Sequence, residues 1–418
     1  MGIERRIATL GELCEFRAGV AFPIRFQGRT RGDFPFIKVS DLNRPGNELF
    51  IAQAENWVDA ETASTLRARP VPAASVIFAK VGEAIRQNRK RLITRPTLLD
   101  NNLMAAIPRQ SVDPRFLYYL LCTLDFEERI EGSALPYLKA SALEQVEVEL
   151  PPLQDQRRIA EILGTIDERL ELSRQLNRTL EALASKLFQA SFVEFYPVMA
   201  KSEGRRPVGL SEGIAARFPS EFVLTQEGPL PKGWRWGTLG DVARQVRERT
   251  SPEELEHSTP YIGLEHMPPK SIALAHWGTA AQVQSQKSRF RKGHLLFGKL
   301  RPYFHKVGLA PVDGVCSTDI VVVEPARKAL LSFVLGHLSS VEFVNFADAG
   351  SDGTRMPRTS WEHMSRYPIA LPDGPCVEAF DQFTRPLFDK LLANIHAART
   401  LHELRDLLLP WLFSGESV

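Results

Sequence analysis

The C-terminal third of this chain repeats its middle without a gap, at an offset of 221 residues. Eight apolar positions find an apolar residue at that offset: Ile159, Ile162, Ile166, Leu170, Leu180, Leu183, Leu187 and Phe192 correspond to Phe380, Phe383, Leu387, Leu391, Leu401, Leu404, Leu408 and Phe413. Both stretches have the spacing of an amphipathic helix with one apolar stripe. A repeat this long exceeds a solenoid unit, so the pattern predicts two copies of a module of about 200 residues, each ending in a long helix.

The repeat continues upstream with small changes of offset. Three pairs of segments correspond: Thr9–Glu12 with Thr238–Asp241, Val76–Lys80 with Leu295–Lys299, and Asn102–Pro108 with Asp319–Pro325. The offset drifts from 229 to 217 before it settles at 221. Such drift is typical of insertions in surface loops between core elements that persist.

Composition narrows the class of protein. A length of 418 residues with 44% hydrophobic content is ample for two cores. Apolar runs such as Ile320–Val323 are too short to span a bilayer, and Met1–Arg6 lacks the apolar segment of a signal peptide, so we expect a cytoplasmic protein without membrane contact. The four cysteines are scattered and no histidine stands beside one at a metal-ligand spacing, so neither disulfides nor a metal site is expected.

Positive charge is concentrated at the same place in both copies. The net charge is only +2, yet residues 62–99 carry eight basic side chains and one acid, and residues 266–312 carry eight basic side chains and no acid. A solubilising face explains one such run. Its recurrence favours a polyanion-binding surface in each copy.

The segment before each long helix predicts an α+β fold made mostly of short strands. The strands expected in the first copy are Phe36–Val39, Ser75–Val81, Leu103–Ile107 and Val146–Leu150. One amphipathic helix, Arg115–Ile130, precedes the closing strand, and its counterpart in the second copy is Leu331–Phe346.

The two long helices, about Leu153–Phe192 and Val377–Phe413, are expected to pack together as an antiparallel coiled coil, because an amphipathic helix of this length needs a partner. Each heptad series contains one polar residue, Ser173 and Asn394, of the kind that fixes register. Pro386 is expected to kink or restart the second helix. The connector 197–230 is expected to cross the surface with little regular structure.

The sequence carries no catalytic motif that we recognise. It contains neither a Gly-x-x-x-x-Gly-Lys-Ser/Thr phosphate loop nor a Gly-x-Gly-x-x-Gly dinucleotide motif, and it has no Asn-Pro-Pro-aromatic tetrad and no Gly-x-Ser-x-Gly elbow. Their joint absence favours a non-catalytic subunit without a cofactor.

Three segments resemble the DNA-specificity subunit of type I restriction–modification enzymes. Pro151–Asp167 is similar to that family's central segment, Pro-Leu-x-Glu-Gln followed by Ile-x-x-Ile-Leu-x-x-Ile-Asp, although Asp155 stands where Glu is customary. Leu296–Tyr303 is similar to a strand-and-turn segment of its target-recognition domains, and Gly228–Trp234 is similar to the entry of its second domain. The second copy departs from the pattern, because it has Asp373–Val377 in place of Leu-x-Glu-Gln.

The resemblance implies a pseudo-two-fold arrangement of two mostly-β globules separated by two long antiparallel helices. The implied divisions are 1–150 and 231–372 for the two target-recognition domains, 151–196 and 373–418 for the two helices, and 197–230 for the connector. It also implies a subunit without catalysis of its own. Each globule then reads one half of a split double-stranded DNA sequence, two methyltransferase subunits dock on the helices, and restriction subunits join through them.

The candidate DNA-binding residues lie in the two basic stretches. They are Lys80, Arg86, Arg89, Lys90, Arg91, Arg289, Arg291, Lys299, Arg301, Tyr303 and Lys306. The run 89–91, on an expected loop, is interpreted as phosphate contacts, and Arg301 as a positioning or base contact. Gln87, Asn88, Gln282, Gln284 and Gln286 are candidates for reading adenine. The alternative is a coiled-coil scaffold or regulator that binds nucleic acid without sequence preference.

Overall fold

A computed structural model describes residues 5–132 and 135–414, apart from the side chain of Gln282. The chain divides into two compact units. The first unit runs to Leu172 and also includes the chain from Thr400 onwards, and the second unit spans Ser173–Arg399. Each unit therefore contains part of both long helices.

The elements alternate short strands with helices. The strands of the first unit are β1 (Arg6–Thr9), β2 (Cys14–Ala18), β3 (Phe34–Ile37), β4 (Phe50–Ile51), β5 (Asn56–Val58), β6 (Val76–Ala79), β7 (Lys90–Ile93), β8 (Leu98–Leu99), β9 (Leu103–Pro108) and β10 (Glu147–Leu150). Those of the second unit are β11 (Phe222–Thr225), β12 (Gly228–Pro231), β13 (Arg235–Thr238), β14 (Ala243–Gln245), β15 (Arg249–Thr250), β16 (Pro260–Ile262), β17 (Gly278–Thr279), β18 (Lys287–Phe290), β19 (Leu295–Gly298), β20 (Val307–Leu309), β21 (Gly314–Cys316), β22 (Ile320–Pro325) and β23 (Pro368–Leu371). The α-helices are α1 (Leu10–Leu13), α2 (Ala60–Thr65), α3 (Pro114–Thr123), α4 (Ala140–Glu144), α5 (Leu153–Phe188), α6 (Tyr196–Ser202), α7 (Glu212–Ala215), α8 (Leu331–Leu338), α9 (Val341–Ala349), α10 (Trp361–Met364) and α11 (Gly374–Ser414).

The central sheet of the first unit has the strand order β2-β9-β6-β7-β4. Alternate residues of β6 face opposite sides. Val76 and Phe78 pack in one apolar cluster beneath α3, whereas Ile77 and Ala79 pack in a second cluster. Both faces are thus buried, which explains why β6 reads as a continuous apolar run. Strands β5-β3-β8 form a second sheet, and β1 pairs with β10.

The second unit repeats this plan. Its central sheet has the order β14-β22-β19-β20, a second sheet has the order β15-β18-β21-β16-β17, and β13 pairs with β23. Strands β6 and β9 pair antiparallel in one unit as β19 and β22 do in the other. The duplication read from the sequence is confirmed by this shared topology.

The two long helices run antiparallel where they pack together in the second unit. Asn177 lies beside Asn394, with 2.9 Å between the Asn394 Nδ2 and the Asn177 Oδ1, and Phe192 lies against Phe380 with ring centroids 4.7 Å apart. As residue numbers rise along one helix they fall along the other. In the first unit, the buried Asp167 of α5 accepts a hydrogen bond from Arg405 of α11 at 3.2 Å.

The end of each long helix enters a core at an equivalent point. In the first unit Phe413 stacks on Phe116 of α3, with centroids 5.3 Å apart. In the second unit Phe192 lies against Phe333 of α8, with centroids 4.9 Å apart. The tail of α11 therefore completes the core of the first unit, as the end of α5 completes the core of the second.

The long helices differ in detail from the sequence expectations. Helix α11 runs through Pro386 without the expected restart, since Phe380 and Phe388 are buried on either side of it and hold the helix in place. The buried polar partner of Asn394 is Asn177, which lies four residues beyond Ser173, the polar residue of the heptad series in α5. Helix α5 ends at Phe188, and the expected last turn is π-helical from Gln189 to Val193.

The shorter helices also differ from expectation. Helix α3 ends at Thr123, because Leu124 is extended and Asp125 accepts a hydrogen bond from the backbone N–H of Glu127 to start a separate 3₁₀ turn. The expected Leu331–Phe346 helix is two helices, since Ser340 caps α9 by accepting from the backbone N–H of Phe343. All four strands expected in the first copy are present, with bounds moved by at most two residues.

The connector 197–230 is more ordered than predicted. It contains α6, α7 and a hairpin of β11 and β12. Val198 and Phe218 are buried in the core of the second unit, and Lys201 Nζ donates to the carbonyl of Ala215 at 3.2 Å. Burial of these apolar side chains gives the segment its regular structure.

Candidate nucleic-acid interface

One end of the central sheet gathers several loops of the first unit. Lys80 follows β6, and its backbone N–H donates to the carbonyl of Asn102 at 2.8 Å, while Gly19 after β2 donates to Leu103 at 3.1 Å. The side chain of Lys80 is half-buried, and its ammonium has no hydrogen bond or ion pair among the described residues. A lysine so placed is available to an external anion.

The second unit places Lys299 in the same position. Its N–H donates to the carbonyl of Asp319 at 2.9 Å, and its carbonyl accepts from Thr359 at 3.1 Å, as the carbonyl of Lys80 accepts from Leu138 at 2.9 Å. Lys299 is likewise half-buried, and within the described ranges its ammonium has no partner. The structure thus makes Lys80 and Lys299 equivalent, at the ends of equivalent strands.

A tight turn follows Lys299. Arg301 has a left-handed backbone with φ 51°, Pro302 is buried, and Tyr303 and Phe304 are exposed before His305, which is also left-handed with φ 51°. The backbone N–H of Arg301 donates to Pro357 at 2.8 Å. Its Nη2 donates to the carbonyl of Arg355 at 3.2 Å. Two loops, 299–306 and 352–358, therefore form one surface.

The other basic candidates of the second unit are more constrained. Lys306 Nζ donates to the carbonyl of Leu264 at 2.6 Å, and Arg289 donates to the Thr250 hydroxyl at 2.9 Å. Arg291 is exposed, but it follows the end of β18 that pairs with Gly314, away from the end that leads toward Asp319. Lys299 and Arg301 form the centre of the candidate surface, and Arg291 stands apart from it.

Lys90 does not lie on an exposed loop, where the sequence interpretation put it. It begins strand β7 instead of lying on a loop, and only 2% of its surface is exposed. Its Nζ donates to the carbonyl of Leu124 at 3.0 Å and lies 4.6 Å from the centre of the Phe126 ring. Burial lowers the pKa of Lys90 to about 8. This ammonium belongs to the core and cannot reach DNA.

The neighbours of Lys90 are partly tied to the protein. Arg91 donates to the carbonyls of Lys90 and Leu42, at 2.8 and 3.0 Å, and burial lowers the pKa of its guanidinium. Arg86 is exposed but pairs with Glu83 and Glu127, and the exposed Arg89 bonds to Asn43. Of the adenine-reading candidates, Gln87, Gln284 and Gln286 are exposed, Asn88 donates to Leu124 at 3.2 Å, and the Gln282 side chain lies outside the described part.

Sequence reasoning missed a group of three arginines in the first unit and one arginine in the second unit, near the strand ends. In the first unit Arg17, Arg67 and Arg69 line a cavity of about 310 Å³ beside Gly19. In the second unit Arg355 is exposed on the loop that contacts Arg301. Arg67 and Arg69 lay within the counted basic run, but only the folded chain brings them to the end of β2.

No group of three or more acidic, histidine or cysteine side chains in the described ranges could hold a metal ion. The four cysteines are free thiols, and burial raises the pKa of Cys14 and of Cys316 to about 12. Among the described helices, none is by itself long and apolar enough to cross a membrane. One pair bent by 70°, Lys328–Leu338 with Val341–Ala349, meets that test by length and composition alone.

Comparison with known proteins agrees with this architecture. Residues 4–182 match the family model of the type I restriction modification DNA specificity domain. The MjaIX specificity subunit of a type I restriction enzyme from Methanocaldococcus jannaschii is 24% identical, over 99% of this chain and 92% of its own length. The HindI specificity subunit from Haemophilus influenzae is 21% identical, over 72% of this chain and 77% of its own length.

A solved structure shares the fold. It is the S subunit of a type I restriction–modification system from M. genitalium, which aligns with a TM-score of 0.61 at 15% identity and covers 98% of this chain and 96% of its own. The relatives are named specificity subunits, which are non-catalytic components of restriction–modification complexes. In sequence and in fold the chain is similar to the type I restriction–modification DNA-specificity subunits, as its sequence resemblance predicted. Subunits of this class work with DNA and with methyltransferase and restriction subunits.

Proposed function

We propose that this chain reads a bipartite sequence in double-stranded DNA, with one half-site for each unit. The observation that carries the proposal is the equivalence of Lys80 and Lys299, each at a loop-bearing strand end and each with an ammonium group that has no partner among the described residues. Lysine ammonium groups of this kind bind DNA phosphates, and the loops beside them are positioned to meet base edges. Two equivalent reading surfaces on one chain suit a split target with a fixed gap.

Methyltransferase subunits are the proposed partners of the long helices. Five leucines on α5 and α11 are exposed: Leu172, Leu176, Leu183, Leu404 and Leu407. Exposed apolar side chains along a helix favour a protein partner. Restriction subunits join the complex through the methyltransferases, and the complex acts on DNA in the cytoplasm.

Genome-wide methylation mapping tests the proposal. Cells that contain the chain and its methyltransferase subunits should carry methylated adenines or cytosines in one split motif, and cells that lack the chain should not. Identical methylation patterns in both strains would contradict the proposal. Purified alone, the chain should transfer no methyl group.

A second experiment tests whether each unit reads its own half-site. Lys299→Ala combined with Arg301→Ala should relax or abolish one half of the motif, because both residues lie on the surface of the second unit. Lys80→Ala should affect the other half. The methylated motif of each variant, read by sequencing, decides the matter. If both variants relax the same half, one half-site per unit is wrong.

A further inference from the structure

The turn after Lys299 exposes two adjacent aromatic rings. Tyr303 is 52% exposed and Phe304 is 44% exposed, and their ring centroids are 4.8 Å apart. Large aromatic side chains normally bury most of their surface, so an exposed pair on a short turn indicates a surface that meets a partner.

The turn is held rigidly in an unfavourable conformation. Arg301 and His305, on either side of the pair, both have positive φ, which is unfavourable for a residue with a side chain. Buried contacts hold them there. The His305 ring bonds to the carbonyl of Ser339 at 2.9 Å, and the Arg301 N–H donates to Pro357. Rings on such a turn lose little freedom when they bind.

The corresponding turn of the first unit is anchored at the same point by a backbone hydrogen bond but carries different side chains. Gly82 donates its N–H to Pro136 at 2.8 Å, as Arg301 does to Pro357, and both residues precede a 3₁₀ turn with positive φ. Glycine adopts this φ without strain, whereas arginine does not. The second unit therefore has an arginine with an unfavourable backbone φ at the position where the first unit has a glycine, for which positive φ is not strained. In place of the aromatic pair, the first unit has Ala84 and the buried Ile85.

Charge around the pair identifies the occupant. The side chains of Lys299 and Arg355 have no partner among the described residues, and Arg301 carries a third positive charge. The nearby Asp319 is paired with Arg358 at 2.9 Å. Exposed rings among unneutralised cations match nucleic acid, since bases stack on rings and phosphates bind cations.

We propose that Tyr303 and Phe304 act as a stacking wedge that opens a base step in the DNA half-site read by the second unit. The inference rests on the proposed function and deepens it. The rings stack on the separated bases, and Lys299, Arg301 and Arg355 hold the flanking phosphates. The first unit has no such rings on its equivalent turn, so the DNA distortion is confined to one half-site.

Duplexes carrying 2-aminopurine at successive positions of the mapped motif test the wedge. The probe is bound to the full chain in complex with its methyltransferase subunits. Apart from any step opened at a methylated base, fluorescence should rise at one further step of the second-unit half-site and at no further step of the half-site read by the first unit. A step opened by the methyltransferases at the methylated base is recognised because it occurs in both half-sites and is unaffected by changes in this turn.

The matched variant is Tyr303→Ala with Phe304→Ile, which installs the residues of the first unit. It should abolish the one-sided fluorescence rise and weaken specific binding about tenfold, because each stacked ring stabilises the complex but unstacking the bases offsets part of the gain. The salt slope of binding should not change, since no phosphate contact is lost. Arg301→Gly should instead lower that slope by about one and keep the fluorescence rise.

Controls separate the possible failures. Leu224→Ala removes another apolar side chain of the second unit, 87% exposed, and should leave both readings unchanged. Specific binding by the wild-type complex without one-sided unstacking would overturn the wedge and leave the proposed function intact. Loss of methyltransferase binding in the double variant, with DNA distortion retained, would identify the rings as a protein-docking surface and overturn the wedge. Failure of the wild-type complex to select any split motif would instead overturn the proposed function.

Discussion

At the residue scale, burial decides which lysine side chain can contact DNA. Lys80→Ala should lower the salt slope of DNA binding by about one, because a free ammonium that binds a phosphate is lost. Lys90→Met should leave the slope unchanged, because Lys90 is buried against Phe126 and bonded to Leu124. Binding measured at a series of salt concentrations compares the two. A reduced slope for Lys90→Met would show that the ammonium reaches DNA.

A buried histidine makes the second unit sensitive to acid. The ring of His337 lies 4.7 Å from the rings of both Phe188 and Phe333, and burial lowers its pKa to about 3 from an ordinary value of 6.5. Between pH 6.5 and 3 the imidazole of His337 is therefore protonated in the unfolded chain but neutral in the folded chain. Its contribution to stability is complete above pH 6.5 and is lost as the pH falls through that window, by about 3 kcal/mol at pH 4.

His337→Leu should remove this dependence. The first unit has Leu120 at the equivalent position, so a leucine suits the site. Denaturant unfolding of the second unit between pH 7 and 4 should give a flatter curve for the variant than for the wild type. His257→Leu, which changes an exposed histidine of the same unit, is the control and should reproduce the wild-type curve. Equal slopes for His337→Leu and the wild type would disprove the assignment.

At the scale of elements, the packing of α5 against α11 in the second unit depends on a buried amide pair. Asn394→Leu leaves the amide of Asn177 without its partner and should reduce the free energy of unfolding by about 1–3 kcal/mol. Changing both residues to leucine should restore most of that loss, because no buried amide is then left unpaired. Urea unfolding measures both variants.

The exposed position Thr179 supplies the control for the amide pair, and Thr179→Leu should alter stability by less than about 0.5 kcal/mol. A double leucine variant less stable than Asn394→Leu would show that the pair contributes more than the burial of two apolar side chains. In that case the amides would be the main source of stability, and not chiefly a device that selects helix register.

At the scale of the whole molecule, the long helices are proposed to set the gap between half-sites. Four residues inserted near Ser173, with a matching insertion near Asn394, should lengthen the gap in the methylated motif and leave both half-sites unchanged. About one helical turn is added to each helix, so the apolar stripe is nearly preserved. An insertion after the exposed Gly204 in the connector is the control and should change neither gap nor half-sites. Altered bases at an unaltered gap would contradict the proposal.

The sequence by itself determined the duplication, the two long helices and the strands of the first copy. These features follow from local periodicity, which reports whether a residue faces a core. The alignment of the copies also paired Lys80 with Lys299, and the structure places both at the same strand end. The sequence alignment of the two copies therefore identified Lys80 and Lys299 as equivalent without information on the residues that contact them.

Only the tertiary structure decided what distant segments do to individual side chains. Lys90 lies in a run of basic residues, yet the carbonyl of Leu124 and the ring of Phe126 hold it inside the core. Pro386 is tolerated because buried side chains on both sides hold α11 together. Tyr303 and Phe304 stand exposed because the turn that carries them is fixed by residues more than thirty positions away, such as Ser339 and Pro357. Local sequence records the period of a pattern, whereas such long-range contacts depend on the folded chain.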